Sequence, residues 1–197
     1  MIWSIMNKQF TINKEYAIIM ESKNLGHKMK EKIEKILKEK NLYKSPVDIV
    51  KLAESYGISI FQQEIEYDGA IISRNEDFEI SGEHCNKAII ININQSPARK
   101  RFTIAHELAH WIQTPEQQKN NLYAHRDDNL TRFNYEPEIN AMASEILMPH
   151  GLVKDVLQNT DYKQRGIYPR LINYVANMFN VSYSAAQVRL KKFELGA

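Results

Sequence analysis

A single cysteine, Cys85, in 197 residues excludes an internal disulfide, and it excludes a structural zinc site built from several thiolates. No apolar run approaches the ~18 residues of a membrane span. The start, Met1 to Lys8, is apolar for only a few residues before polar ones intervene, so it lacks the core of a signal peptide. These absences point to a soluble protein of a reducing cytoplasm. A formal net charge of +2 is too small to argue for nucleic acid as a partner. Nine lysines against four acidic residues between Lys23 and Lys51 make one basic stretch, which reads as a solvated helix face. No internal repeat or low-complexity segment is present, and a chain of this length can bury about 70% of the surface it would expose unfolded.

The chain opens with residues 1–24, which carry no clear period and read as an extension. From His27 to Lys40, Met29, Ile33, Ile36 and Leu37 form one helical stripe, while Glu31/Lys35 and Glu34/Lys38 are spaced to pair on the other side. Ser45-Pro46 reads as a cap and first-turn proline of a second helix, which Gly57 stops. Three strands follow: Ile58 to Phe61, Ala70 to Ile72 after the Asp68-Gly69 turn, and Lys87 to Asn92. Beyond residue 113, Thr114 to Phe133 has loop composition. Helix resumes near Pro137 with an almost wholly apolar run from Ile139 to Met148, broken by Pro149 and Gly151. Weaker helical patterns cover Leu152 to Gln158 and Pro169 to Phe179, with a last helix after Ser182.

Between the strands and that loop lies the stretch with most chemistry, Arg101 to Trp111. His106-Glu107-x-x-His110 places two imidazoles about 5 to 6 Å apart at Cβ on one helix face, where both can ligate one zinc. Drawn as a helix from Pro97 to Gln113, Phe102, Ile104, Ala105, Leu108, Ala109, Trp111 and Ile112 cover about half the circumference. The two histidines share the polar arc, and Glu107 stands at its far side, where a carboxylate can take a proton from water without being a ligand. Ser96 and Pro97 suit the cap and first turn of this helix. The strand Lys87 to Asn92 just before it is a candidate to receive an extended substrate by edge pairing.

A catalytic zinc wants a third protein ligand, and the apolar helix near Pro137 offers Glu136, Glu138 and Glu145. Glu145 lies about 10 Å along the helix from Glu138, so those two can hardly serve one ion. Residue chemistry alone does not separate Glu136 from Glu138, and it leaves His125 or a loop aspartate open. Tyr135, His125, Arg126 and Arg132 are all near enough in sequence to stabilise an oxyanion, and none stands out. His27, His84 and His150 have no ligand spacing.

Arg101 to His110, followed by Glu136 to Pro149, resembles the ImmA/IrrE family of metallopeptidases, with weaker likeness at Pro46, Asp48, Gly57-Ile58, Val181-Ser182 and Arg189-Leu190. The resemblance covers roughly residues 27 to 195. It implies that His106, His110 and Glu136 hold one Zn2+ per chain and that Glu107 is the catalytic glutamate, with Glu138 as runner-up for the third ligand. Ala109, Ile139, Met142 and Pro137 depart from the family's usual residues without removing a ligand or the base.

The fold expected is α+β, mostly helical, with a small sheet beside the zinc helix in a zincin-like core. Its parts are the extension 1–24, a metallopeptidase core over 25–150 and a helical C-terminal region over 151–197. The function implied is a cytoplasmic zinc endopeptidase that cleaves a specific regulatory protein, a helix-turn-helix repressor, as in mobile elements, prophages and stress responses. The alternative is a metal-stabilised binding module, an antitoxin or repressor partner with little turnover. Too little chain precedes residue 27 for a helix-turn-helix domain of its own.

Overall fold

The computed structural model describes residues 26–125, 136–159 and 168–194. The fold is α+β and mostly helical, with a four-stranded mixed sheet in the order β1-β3-β2-β4. Helix α1 covers residues 26–39, and Ile33 and Leu37 of its stripe are buried. Glu34 pairs with Lys38 at 3.2 Å, but Lys35 pairs with Glu39 and Glu31 with His27. Helix α2 is Ile49–Glu54, and its cap is Asp48, which accepts from the Lys51 N–H at 3.1 Å. Ser45 therefore does not cap it: the cis Ser45-Pro46 bond lies upstream, and Asp48 is the polar residue adjoining the first buried one, Ile49. Gly57, at φ +70°, ends the segment as expected of a residue free to adopt the left-handed region.

Strands β1 (Ser59–Gln63), β2 (Gly69–Ile80) and β3 (Glu83–Asn92) are longer than the apolar runs suggest. The extra length of β2 and β3 is the outer end of their hairpin, where Arg74, Asn75, Glu76 and Asp77 are exposed and so leave no apolar signature. β3 is not an edge. It pairs in parallel with β1 and antiparallel with β2, so its backbone is already engaged on both sides and edge capture of a substrate there is excluded. The strand that flanks β2 is β4 (Leu122–His125), inside the segment expected to be loop, after a 3-10 helix over Glu116–Asn121. Four residues with Leu122 buried are too short to announce a strand; pairing with β2 defines it.

Helix α3 (Pro97–Gln113) lies on the sheet, capped by Ser96 as read from the sequence. The main core joins Ile71, Ile89 and Ile91 of the sheet to Ile104, Leu108 and Trp111 of α3. Helix and sheet are drawn together at Gly69. A Cβ there would stand 2.4 Å from Thr103 Cγ2 and 2.9 Å from the Ile90 carbonyl oxygen, so only glycine permits this approach. The neighbouring Asp68 accepts from Gln95 Nε2 at 2.6 Å and pairs with Arg99, fastening the β1–β2 turn to the start of α3.

Helix α4 (Glu136–Leu147) packs along α3 with Ile139, Met142, Ala143, Ile146 and Leu147 buried. Gly151 does not break the next helix but sits inside α5 (His150–Gln158). Its N–H donates to Glu34 Oε1 at 2.8 Å, and a Cβ would meet Tyr43 Oη at 2.3 Å, so the residue serves close approach rather than termination. Helices α6 (Tyr168–Phe179) and α7 (Tyr183–Glu194) complete the order, α7 capped by Ser182 Oγ on the Ala185 N–H at 3.1 Å. Among the described residues no helix is long and apolar enough to cross a membrane. The proposed extension 1–24 lies outside the described residues.

Candidate metal centre

The apolar stripe of α3 fixes the rotation of that helix, and the rotation aims His106 and His110 at α4 rather than at solvent. Their Nε2 atoms lie 3.2 Å apart. From α4, Glu136 brings Oε2 to 3.5 Å from His106 Nε2 and Oε1 to 3.5 Å from His110 Nε2. The three side chains each offer one ligand atom within 4.8 Å of the others. Their exposure is graded: 4% for the His106 side chain, 14% for His110 and 30% for Glu136. The cluster therefore opens on the His110–Glu136 side.

Asn140, one helical turn after Glu136, places Oδ1 3.1 Å from His106 Nδ1. An amide oxygen only accepts, so Nδ1 carries the proton and Nε2 presents its lone pair to the cluster. Burial lowers the His106 pKa, against the attraction of Glu136 and the Asn140 hydrogen bond, and so opposes its protonation. The His106 Nε2 lone pair faces His110 Nε2 at 3.2 Å and the Glu136 carboxylate at 3.5 Å. Zinc bonds of about 2.0–2.2 Å in tetrahedral array separate ligand atoms by about 3.3–3.5 Å, which matches the spacings here. The donor set thus fits a zinc-type ion, with His106, His110 and Glu136 to hold it.

Glu107 is 4% exposed and lines a small space with Asp68, Phe102, Thr103 and His106. Tyr67 lies within its electrostatic reach. The Tyr67 phenol is pushed above its ordinary value by burial first, then by Tyr123, to which it is hydrogen-bonded, and by the Glu107 carboxylate. The carboxylate therefore stands beside the His106 imidazole, with the Tyr67 phenol within its electrostatic reach.

The other candidates fall elsewhere. Glu138 is exposed and faces a cavity lined by Met29, Lys32, Gln113 and Met142. Glu145 is fully buried, with Oε2 2.5 Å from Arg189 and Oε1 accepting from the His150 N–H at 2.5 Å. His27 pairs with Glu31, His84 is exposed on β3, and His150 stacks on Phe193 with ring centroids 4.5 Å apart. Tyr135, Arg126, Arg132 and the side chain of His125 lie outside the described residues. Sequence reasoning missed Asn140, which faces His106 Nδ1, and Tyr67, which lies within the electrostatic reach of Glu107. Asn140 was findable, because its i+4 spacing from Glu136 puts both on one face of α4. Tyr67 comes within electrostatic range of Glu107 through the β1–β2 turn, which no local spacing reveals.

Among curated proteins none matches the chain significantly. Of solved structures, a Mycobacterium tuberculosis transcriptional regulator shares the fold with a TM-score of 0.53 at 15% identity, over 83% of this chain and 46% of that one. The present chain thus spans about half the length of that regulator. The family profile Peptidase_M78, described as the IrrE N-terminal-like domain, matches residues 53–191, and the chain belongs to this metallopeptidase family.

Proposed function

We propose that the protein is a zinc-dependent endopeptidase that cleaves a specific regulatory protein, a helix-turn-helix repressor. The observation that carries this reading is the convergence of His106, His110 and Glu136 at 3.2–3.5 Å, with the buried carboxylate of Glu107 adjoining His106. A zinc ion held by these three residues would supply Lewis acidity for the scissile carbonyl and for a water molecule. Glu107 accepts the proton released by that water and passes it to the leaving amine, because peptide hydrolysis needs a group that is first base and then acid. Asn140 holds His106 in the tautomer that can ligate. The fixed depth of α3, set by Gly69 against Thr103, keeps Glu107 at the site wall.

The regulatory substrate is supported by the resemblance to repressor-cleaving peptidases and by the fold shared with a transcriptional regulator. Cleavage belongs in the cytoplasm, where such repressors act. The test is incubation with the repressor-like protein encoded nearest to it, with fragments identified by mass spectrometry. We expect cleavage at one position that a chelator stops and added zinc restores. Cleavage that continues undiminished after complete metal removal contradicts the reading.

A further inference from the structure

Helices α3, α4 and α7 enclose an open groove of about 550 Å³ whose lining includes chain neighbours of the candidate ligands but not His106, His110 or Glu136 themselves. At its inner end stand Phe102, Pro137 and Asn140. Phe102 lies one turn before His106, Pro137 adjoins Glu136, and Asn140 is the residue bonded to His106. From there the groove follows α4 past Ser144 to Met148, about 12 Å at 1.5 Å per helical residue. That is room for three to four residues of extended chain at about 3.3 Å each.

Its chemistry is one-sided. Ala141, Leu147, Val181, Ala185 and Val188 make an apolar lining, and Val188 is left 57% exposed. The charged groups among the described lining residues are Arg99 and Lys192, and no carboxylate is among them. Arg99 is engaged by Asp68 and lies over the Phe102 ring. Lys192 is exposed, one turn beyond Arg189, whose bonds to Glu145 and the Met148 carbonyl place it at the outer end of the groove.

We propose that this groove is a specificity site for the substrate chain on one side of the scissile bond, selecting a short apolar stretch followed, three to four residues from that bond, by a carboxylate that meets Lys192. The proposal rests on the peptidase reading and names the substrate class for the same centre. Apolar burial supplies the affinity, and Lys192 supplies the discrimination.

Binding tests it without turnover. Fluorescence anisotropy would be measured on the full zinc-loaded Glu107→Gln protein with two fluorescein-tagged peptides, one carrying Leu-Ala-Leu-Glu and its twin Leu-Ala-Leu-Lys. We expect the glutamate peptide to bind about fivefold more tightly, the size of one exposed ion pair at its upper limit. Lys192→Glu should invert that order, while Lys191→Glu, on the same helix but outside the groove, should leave it standing. Val188→Ser should weaken both peptides about five- to tenfold by removing apolar surface. The proposal is overturned if neither peptide binds, if the preference survives Lys192→Glu, or if Lys191→Glu inverts it equally. Inversion at Lys192 in a protein that never cleaves anything would remove the peptidase reading and leave the groove as a peptide site. Cleavage that depends on Glu107, joined to an unchanged preference in Lys192→Glu, would remove the groove proposal alone.

Discussion

Helix α4 carries a glutamate near each end, and the two have opposite surroundings. Glu145 is fully buried and meets a permanent cation, Arg189, whose guanidinium also donates to the Met148 carbonyl at 2.7 and 3.1 Å. Glu136 is 30% exposed and meets two imidazoles, one held in its neutral form by burial. A carboxylate withdrawn from water requires a charge partner. At one end the fold provides it, and the result is a joint between α4 and α7. At the other end the partners are two imidazoles, one kept neutral by burial, and the three donors together suit a cation supplied from outside the chain. On the proposed reading, the same residue type on the same helix is structural where a cation is built in and metal-binding where it is not.

The comparison can be broken first at the structural end. Glu145→Ala leaves Arg189 buried without its carboxylate and should cost about 3–5 kcal/mol. For a chain of this size that is a fall in melting temperature on the order of 10 °C, measured by thermal denaturation. Replacing the pair together, as Glu145→Leu with Arg189→Met, should cost less than half of the Glu145→Ala loss, since both charges then leave together. At the other end, Glu136→Gln should leave the melting temperature of the metal-free protein within about 2 °C, as a solvent-facing change does. It should weaken zinc binding about a hundredfold or more, a quarter share of the free energy of a four-ligand site, read by competition with a chromophoric chelator. Asn140→Ala should weaken zinc binding by a smaller factor, about 10 to 100, because it frees the His106 ring without removing a ligand.

The smallest effect lies beside the structural joint. Burial, then Lys30, lowers the His150 pKa below its ordinary value, outweighing the opposite pull of Glu145. The unfolded chain then binds a proton more readily than the folded one, so the stability contributed by neutral His150 is complete above about pH 6.5 and declines as pH falls toward the folded value. Replacing His150 by Phe keeps a ring against Phe193 and should flatten the denaturant midpoint of the metal-free protein between pH 6.5 and 5. An unchanged slope would show that His150 titrates no differently on folding.

How much of this was legible depends on range. The cap at Ser96, the buried stripe of α3 and the facing histidines follow from spacing within one helix, so the sequence displayed them directly. The apolar run of α4 marked it as buried. What spacing could not show is which distant group meets which. Glu136 and Glu138 differ by two residues and about 200° of rotation, and only the packing of α4 on α3 turns one of them to the histidines. The partner of Glu145 is 44 residues away on α7. β4 was read as loop because four residues between polar segments carry no period, and β3 was misread as an edge because pairing on both sides is a property of the sheet.

The most direct measurement pairs zinc content with cleavage in wild type and Glu107→Gln, using the repressor-like protein encoded nearest as substrate. Glu107 adjoins a ligand without being one, so the account predicts close to one zinc per chain in both proteins and cleavage in wild type alone, reduced at least about a thousandfold by the substitution. Equal cleavage by both proteins, or a wild type that takes up no zinc, would contradict it.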